Sequence, residues 1–148
     1  MKTKQEFEKW AILPASIEAA QAALSANIIE GAEDGPHDEM DEYTFSEAGG
    51  VAIIPVSGVI GHKVGPVAKM LGAVDALDIM AAIELAADDD EVDIIILDID
   101  SPGGTVAGVP ELAETVEAVQ ASGIKKIYAY TDSQMASAAY WLAAGANG

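Results

Sequence analysis

Two kinds of apolar pattern alternate along the chain from residue 51 onward, and their order restricts the fold to a narrow class. Residues 51–56 and 94–97 are continuous apolar runs rich in β-branched side chains, which is typical of strands buried on both faces. Residues 73–87, between them, carry apolar side chains at helical spacing. Strand, helix and strand in this order predict an α/β fold, with a parallel sheet covered by helices on both faces.

The same alternation continues toward the end of the chain. A turn over residues 100–104 precedes a predicted helix that has Pro110 in its first turn and Gly123 at its end, positions that suit these two residues. A third strand is predicted over residues 127–130, followed by a last helix near Met135. Pro55 lacks a backbone N–H group, so the first strand is expected to be an edge strand or to end there.

The first 49 residues differ in composition from the rest. Residues 15–30 place apolar side chains at helical spacing and predict an amphipathic helix. Residues 31–50 are acidic and have too little apolar surface to pack, so they are interpreted as a linker. We therefore divide the chain into an N-terminal helix and acidic linker, residues 1–49, and a compact domain, residues 50–148.

Charge and composition exclude several functions. The chain has 25 acidic and 7 basic residues and a net charge of -18, which disfavours binding to nucleic acid or to an anionic membrane surface. It has no cysteine, which excludes disulfides, thiolate zinc sites and cysteine nucleophiles. The sequence contains neither a signal peptide pattern nor an apolar run long enough to cross a bilayer, so we expect a soluble, cytoplasmic protein.

Two loops follow the carboxyl ends of predicted strands, where open parallel sheets bind their ligands. The first contains Ser101, Pro102, Gly103 and Gly104. Paired glycines permit positive φ angles and leave the backbone N–H groups accessible, which suits an oxyanion hole. The alternative is a tight turn that only joins a strand to a helix.

The second loop places Ser137 among small side chains at the start of the last helix. A nucleophilic serine needs such surroundings, because bulky neighbours would block the incoming carbonyl group. The alternatives are a serine that caps the helix and a serine that packs among small residues, with Ser133 as a competing cap.

Considered together, the two loops resemble those of the S49 peptidases, which include signal peptide peptidase and the phage capsid (prohead) proteases. The resemblance is closest to the capsid proteases and covers residues 50–148. It is carried by residues 97–104 (LDIDSPGG), 107–108 (AG) and 135–143 (MASAAYWLA).

This resemblance implies a ClpP/crotonase-like fold and a serine endopeptidase that cleaves scaffold or capsid proteins. It implies that Ser137 is the nucleophile and that backbone N–H groups of Gly104 (or Gly103) and Ala138 form the oxyanion hole. The substrate would bind as an extended strand beside the glycine turn. It further implies a homo-oligomer in the host cytoplasm or the procapsid, without a metal or cofactor.

The general base is the main departure from the family pattern. S49 enzymes activate the serine with a lysine several dozen residues downstream, whereas this chain ends at Gly148. We therefore interpret the chain as C-terminally truncated and expect it to be inactive alone. The internal lysines and histidines are interpreted as solvated charges: Lys63, Lys69, Lys125, Lys126, His37 and His62.

Other features leave alternatives open. Asp98 and Asp100 allow a metal site, although stabilisation of the turn is the favoured interpretation. Tyr140 and Trp141 are expected in the core rather than at an interface. The alternative functions are a non-catalytic assembly or scaffolding module with the same fold, and a crotonase-like acyl-CoA enzyme.

Overall fold

A computed structural model describes residues 10–12 and 46–147 of the chain. The predicted helix over residues 15–30 and most of the acidic linker lie outside these residues. The described strands are β1 (Trp10–Ile12), β2 (Ser46–Ala48), β3 (Val51–Ser57), β4 (Ile60–Gly61), β5 (Val74–Asp75), β6 (Ile94–Asp100), β7 (Gly103–Thr105) and β8 (Lys126–Tyr130). The helices are α1 (Pro66–Met70), α2 (Ala76–Asp88), α3 (Val109–Ser122) and α4 (Ala138–Ala143).

The main sheet has the strand order β2-β3-β6-β8. Its three longer strands are parallel, as predicted, and β2 joins β3 in an antiparallel pair. The pairing of β2 covers only residues 51–53 of β3, so Pro55 lies beyond the end of β2. β3 continues past Pro55 to Ser57 and lies between β2 and β6, so the prediction of an edge strand, or of a strand that ends at Pro55, was wrong.

The helices cover one face of this sheet. Side chains alternate along β3 and β6 between buried and more exposed positions. The buried side faces a layer in which α2 packs against α3, and α3 against α4. In the described part of the chain the opposite face is open, with Ile53 37% exposed and Tyr130 53% exposed. The prediction of strands buried on both faces was therefore wrong for the described residues.

A second, smaller sheet has the order β1-β7-β4-β5. Its strands are two or three residues long. β4, β5 and β7 lie in segments that the sequence indicated only as turns or helix, and no element was predicted at β1. Gly104 shows why glycine is needed here, because a Cβ atom on it would lie 1.7 Å from the carbonyl oxygen of Ile60. Two of the shortest strands pack this closely because no side chain separates them.

The ends of α2 and α3 carry residues that are typical of helix termini. α3 has Pro110 in its first turn and ends at Gly123, which has φ 68°, so both predictions are confirmed. α2 begins after Asp75, whose buried carboxylate accepts hydrogen bonds from the backbone N–H groups of Leu77, at 2.9 Å, and Val64, at 2.5 Å. The last helix begins at Ala138, later than predicted.

Candidate active site

The two loops chosen from the sequence lie side by side at the carboxyl edge of the main sheet. The Ser101 N–H donates to the Gln134 carbonyl at 2.8 Å, and the Ala136 N–H donates to the Ser101 carbonyl at 3.1 Å. These bonds form a parallel bridge between Ser101 and Met135. The same pairing explains the late start of α4, since it holds residues 134–136 in an extended conformation.

Ser137 occupies the sharp turn between this extended segment and α4. Its φ is 56° and its ψ is -115°, a combination that side-chain-bearing residues rarely adopt. Such a conformation costs on the order of 1–3 kcal/mol and is most often found at functional sites. A strained turn from strand to helix is also the arrangement that presents a nucleophilic hydroxyl at the top of a sheet.

The side chain of Ser137 has no capping role. Ser137 is the N-cap residue of α4 by position, yet its hydroxyl makes no capping hydrogen bond. The residue is exposed, whereas the neighbouring Ala138 and Ala139 are fully buried. The interpretations of Ser137 as a helix cap or a packing residue are therefore wrong, and an exposed hydroxyl remains.

The glycine turn is organised by Ser101, which the sequence analysis did not single out. Ser101 is fully buried, and its hydroxyl donates to the Gly58 carbonyl at 2.6 Å. The Gly103 N–H donates to the same hydroxyl oxygen at 3.2 Å. This bond occupies the Gly103 N–H, whereas Gly104 lies within β7, between β1 and β4. Serine hydroxyls often accept a hydrogen bond from the backbone N–H two residues later, so the spacing of Ser101 and Gly103 could have predicted this turn from the sequence.

The lysines examined as substitute bases have other positions or partners. Lys125 is 8% exposed and donates to the backbone carbonyls of Asp89, at 2.5 Å, and Val92. Its interpretation as a solvated charge was therefore wrong. Lys69 forms an ion pair with Asp78 at 2.7 Å. Lys126 begins β8, at the opposite end of that strand from the Ser137 loop.

The histidines and the remaining lysine differ in exposure and location. His62 and Lys63 are exposed, and His37 lies outside the described residues. Asp98 and Asp100 are also exposed. Within residues 10–12 and 46–147, no three or more His, Cys, Asp or Glu side chains are grouped so as to hold a metal ion.

α4 and the preceding strand β8 carry exposed aromatic side chains. Tyr140 is 64% exposed and Trp141 is 45% exposed, so their prediction as core residues was wrong. Tyr130 ends the neighbouring strand β8 and is also exposed. Three exposed aromatic side chains therefore lie in the elements that flank the Ser137 loop in sequence, at the end of β8 and in α4.

Comparison with known proteins gives an independent indication of function. The chain is 33% identical to capsid assembly protease C of Escherichia phage lambda over 128 residues, which are 86% of this chain. The chain is homologous to part of a phage capsid assembly protease. It is also 31% identical to the head-tail preconnector protein GP5 of Enterobacteria phage P21, in an alignment 114 residues long that covers 71% of the chain.

The chain matches only a part of each of these relatives. The aligned region spans 28% of the lambda protein and 22% of the P21 protein, so the chain corresponds to about a quarter of these relatives. No protein-family model matches the sequence. Among the helices that the structure describes, none is long and apolar enough to cross a bilayer.

Proposed function

We propose that this chain forms the front portion of an S49-type serine endopeptidase that cleaves scaffold or capsid proteins during phage assembly, with Ser137 as its nucleophile. The observation that carries the proposal is the exposed hydroxyl of Ser137 in a strained turn, in a loop hydrogen-bonded to Ser101 beside the glycine turn. The similarity to a capsid assembly protease supports the reaction class.

The proposed reaction is acyl transfer. The Ser137 Oγ attacks the carbonyl carbon of the scissile peptide bond, and its proton passes to a general base. The resulting tetrahedral oxyanion accepts hydrogen bonds from the backbone N–H groups of Gly104 and Ala138. The carbon–nitrogen bond then breaks as the leaving amine takes a proton, and water releases the acyl group from the serine.

The general base is proposed to be a lysine outside these 148 residues. Of the four lysines described, Lys125 and Lys69 are engaged with other groups, and Lys126 lies at the opposite end of β8. The fourth, Lys63, is exposed after β4. An exposed serine hydroxyl without a base is a weak nucleophile near neutral pH. We therefore expect these 148 residues alone to lack peptidase activity.

The fold supports the assignment to the ClpP/crotonase-like class. Twice along the chain, a strand of the main sheet is followed by a strand of the smaller sheet and then by a helix: first β3, β4 and α1, and then β6, β7 and α3. The exposed aromatic side chains of Tyr140 and Trp141 support self-association, since aromatic residues are enriched in interfaces.

Replacing Ser137 in the complete gene product tests the proposal. Ser137→Ala is expected to abolish cleavage of co-expressed scaffold and capsid proteins, lowering the rate by at least about a thousandfold. Ser133→Ala is the matched control, because Ser133 is an exposed serine of the same loop, and cleavage should persist. Cleavage that continues at the normal rate in Ser137→Ala would refute the proposal.

A non-catalytic assembly module is the second candidate. The observation that favours it is the match to a protein named for the head-tail preconnector, together with the open sheet face and exposed aromatic side chains. This alternative predicts that Ser137→Ala leaves capsid assembly unchanged, whereas Trp141→Ala impairs it.

A further inference from the structure

The glycine strand β7 has partners on both of its edges. β4 pairs with one edge and β1 pairs with the other. β4 follows β3 directly in the compact domain, whereas β1 is separated from the next strand by residues 13–45. One side of β7 is therefore covered by a short segment from a remote part of the chain.

The register of β1 relates it to the candidate site. β1 is antiparallel to β7, with Trp10 opposite Thr105, Ala11 opposite Gly104 and Ile12 opposite Gly103. It therefore runs toward the glycine turn and reaches Gly103 at its carboxyl end. The glycine turn follows Ser101, which is bridged to Met135 in the Ser137 loop.

An extended peptide would use the same edge. Peptides commonly bind to proteins by adding a strand to an exposed sheet edge through backbone hydrogen bonds. The edge beside the proposed oxyanion donor Gly104 is the edge that pairs with β1, and Ala11 is the register partner of Gly104. Both glycines are buried where β1 pairs with them.

We propose that β1 is an intramolecular peptide ligand that occupies the substrate edge of β7 and must leave before another peptide can bind. The identification of this edge as a substrate site rests on the proposed function. The competition between β1 and a free peptide does not, because it requires no catalysis. The expected ligand is an extended peptide that pairs through its backbone.

The length of β1 makes such an exchange feasible. Three residues form a short strand compared with the usual five or six, so the pairing itself is weak. The covalent connection to the rest of the chain compensates, because an intramolecular partner can have an effective concentration on the order of millimolar. Weakening β1 should therefore increase the affinity for a free peptide by about tenfold or more.

A peptide with the sequence of residues 6–13 (EFEKWAIL), carrying a fluorescent label, is the probe. Its binding to the whole chain is measured by fluorescence anisotropy. Ala11→Pro removes a backbone N–H group from β1 and should disrupt the strand, so this variant is expected to bind the peptide about tenfold more tightly. Unchanged affinity in a folded Ala11→Pro chain would overturn the proposal.

A disulfide trap gives a second test that does not depend on disrupting β1. The natural chain has no cysteine, so Trp10→Cys with Thr105→Cys leaves one possible pair. Directly opposite residues in antiparallel strands have Cα atoms about 4.5–5.5 Å apart, within the range of a disulfide. The oxidised variant should not bind the peptide, and reduction should restore binding to the level of the unmodified chain.

The controls separate this proposal from the proposed function. Trp10→Cys with Ser122→Cys lacks the same tryptophan but places the second thiol at the exposed end of α3, so oxidation should not change its binding. Equal binding by the oxidised and reduced trap would contradict the occupancy of this edge by β1. The assay measures peptide binding and not cleavage, so its outcome does not depend on whether Ser137 is the nucleophile.

Discussion

The two edges of the main sheet use polar side chains differently. At the amino edge, the buried Lys125 donates hydrogen bonds to backbone carbonyls. At the carboxyl edge, the buried Ser101 bonds to the backbone of two turns, and Ser137 is exposed and has a strained backbone. Lys125 joins the end of α2 to the start of β8 through the carbonyls of Asp89 and Val92. Ser101 joins Gly58 to Gly103. The hydroxyl of Ser137 makes no capping bond, although it occupies the cap position.

This contrast separates stability from function within one sheet. At the amino edge, the polar side chain satisfies buried carbonyl groups that would otherwise lack partners. At the carboxyl edge, hydrogen bonds of Ser101 hold the glycine turn and the Ser137 loop together, and the strained backbone of Ser137 is thereby kept in place. Backbone strain persists only where the surrounding structure determines it, so the bonds around Ser101 are the expected support for Ser137.

The largest effect is expected where two strands approach most closely, at the carboxyl edge. Gly104→Ala would place a Cβ atom 1.7 Å from the Ile60 carbonyl oxygen, so the strands must separate. We expect a loss of more than about 4 kcal/mol in the free energy of unfolding, measured by urea denaturation. Gly123→Ala is the control, since its added Cβ meets no atom within 4 Å. It should cost about 1–2 kcal/mol, because its φ is positive.

The amino edge is tested by removing the buried ammonium group. Lys125→Met leaves the carbonyls of Asp89 and Val92 without this donor, and we expect a loss of about 3 kcal/mol in unfolding free energy. Lys126→Met, at an exposed position, should change stability by less than about 0.5 kcal/mol. A Lys125→Met chain as stable as the natural one would show that this edge does not depend on the lysine.

Ser101 tests whether the carboxyl edge supports the candidate site. Ser101→Ala leaves the Gly58 carbonyl and the Gly103 N–H without their shared partner, at a cost of about 2 kcal/mol. In the complete gene product, kcat should fall more than the affinity for substrate changes, because the glycine turn loses its position. If kcat is retained at temperatures where the variant is folded, Ser101 has only a structural role.

The smallest expected effect has the opposite sign. Ser137→Gly should increase the free energy of unfolding by about 1 kcal/mol, since glycine adopts the φ of 56° with less strain. Thermal unfolding of this variant can be compared with Ser133→Gly, where the natural residue has no positive φ and a stabilising effect is not expected. Destabilisation by Ser137→Gly would show that the serine side chain contributes to folding.

The sequence was sufficient for the elements that obey simple periodicity. The three longer strands of the main sheet, α2 and α3 were all indicated by apolar spacing, and Gly123 marked a helix end. The strands of the smaller sheet were missed because a two- or three-residue strand shows no periodicity. The open face was also missed, since apolar residues such as Ile53 and Ile96 make an exposed face resemble a buried one.

The candidate site was predictable to a similar extent. Small residues around Ser137 and the paired glycines identified the two loops that the structure brings together. The strain at Ser137 is not visible in sequence, because φ and ψ depend on the bridge between Ser101 and Met135. The burial of Lys125 was also hidden, since its partners at residues 89 and 92 are backbone carbonyls that any residue supplies.

Covalent labelling of the complete gene product tests the central claim most directly. A fluorophosphonate probe forms a stable phosphonyl ester with an activated serine, and mass spectrometry of the digested protein identifies the modified residue. We expect one adduct, on Ser137, and none in the Ser137→Ala variant. An adduct on another serine, or labelling of Ser137→Ala equal to that of the natural protein, would contradict it.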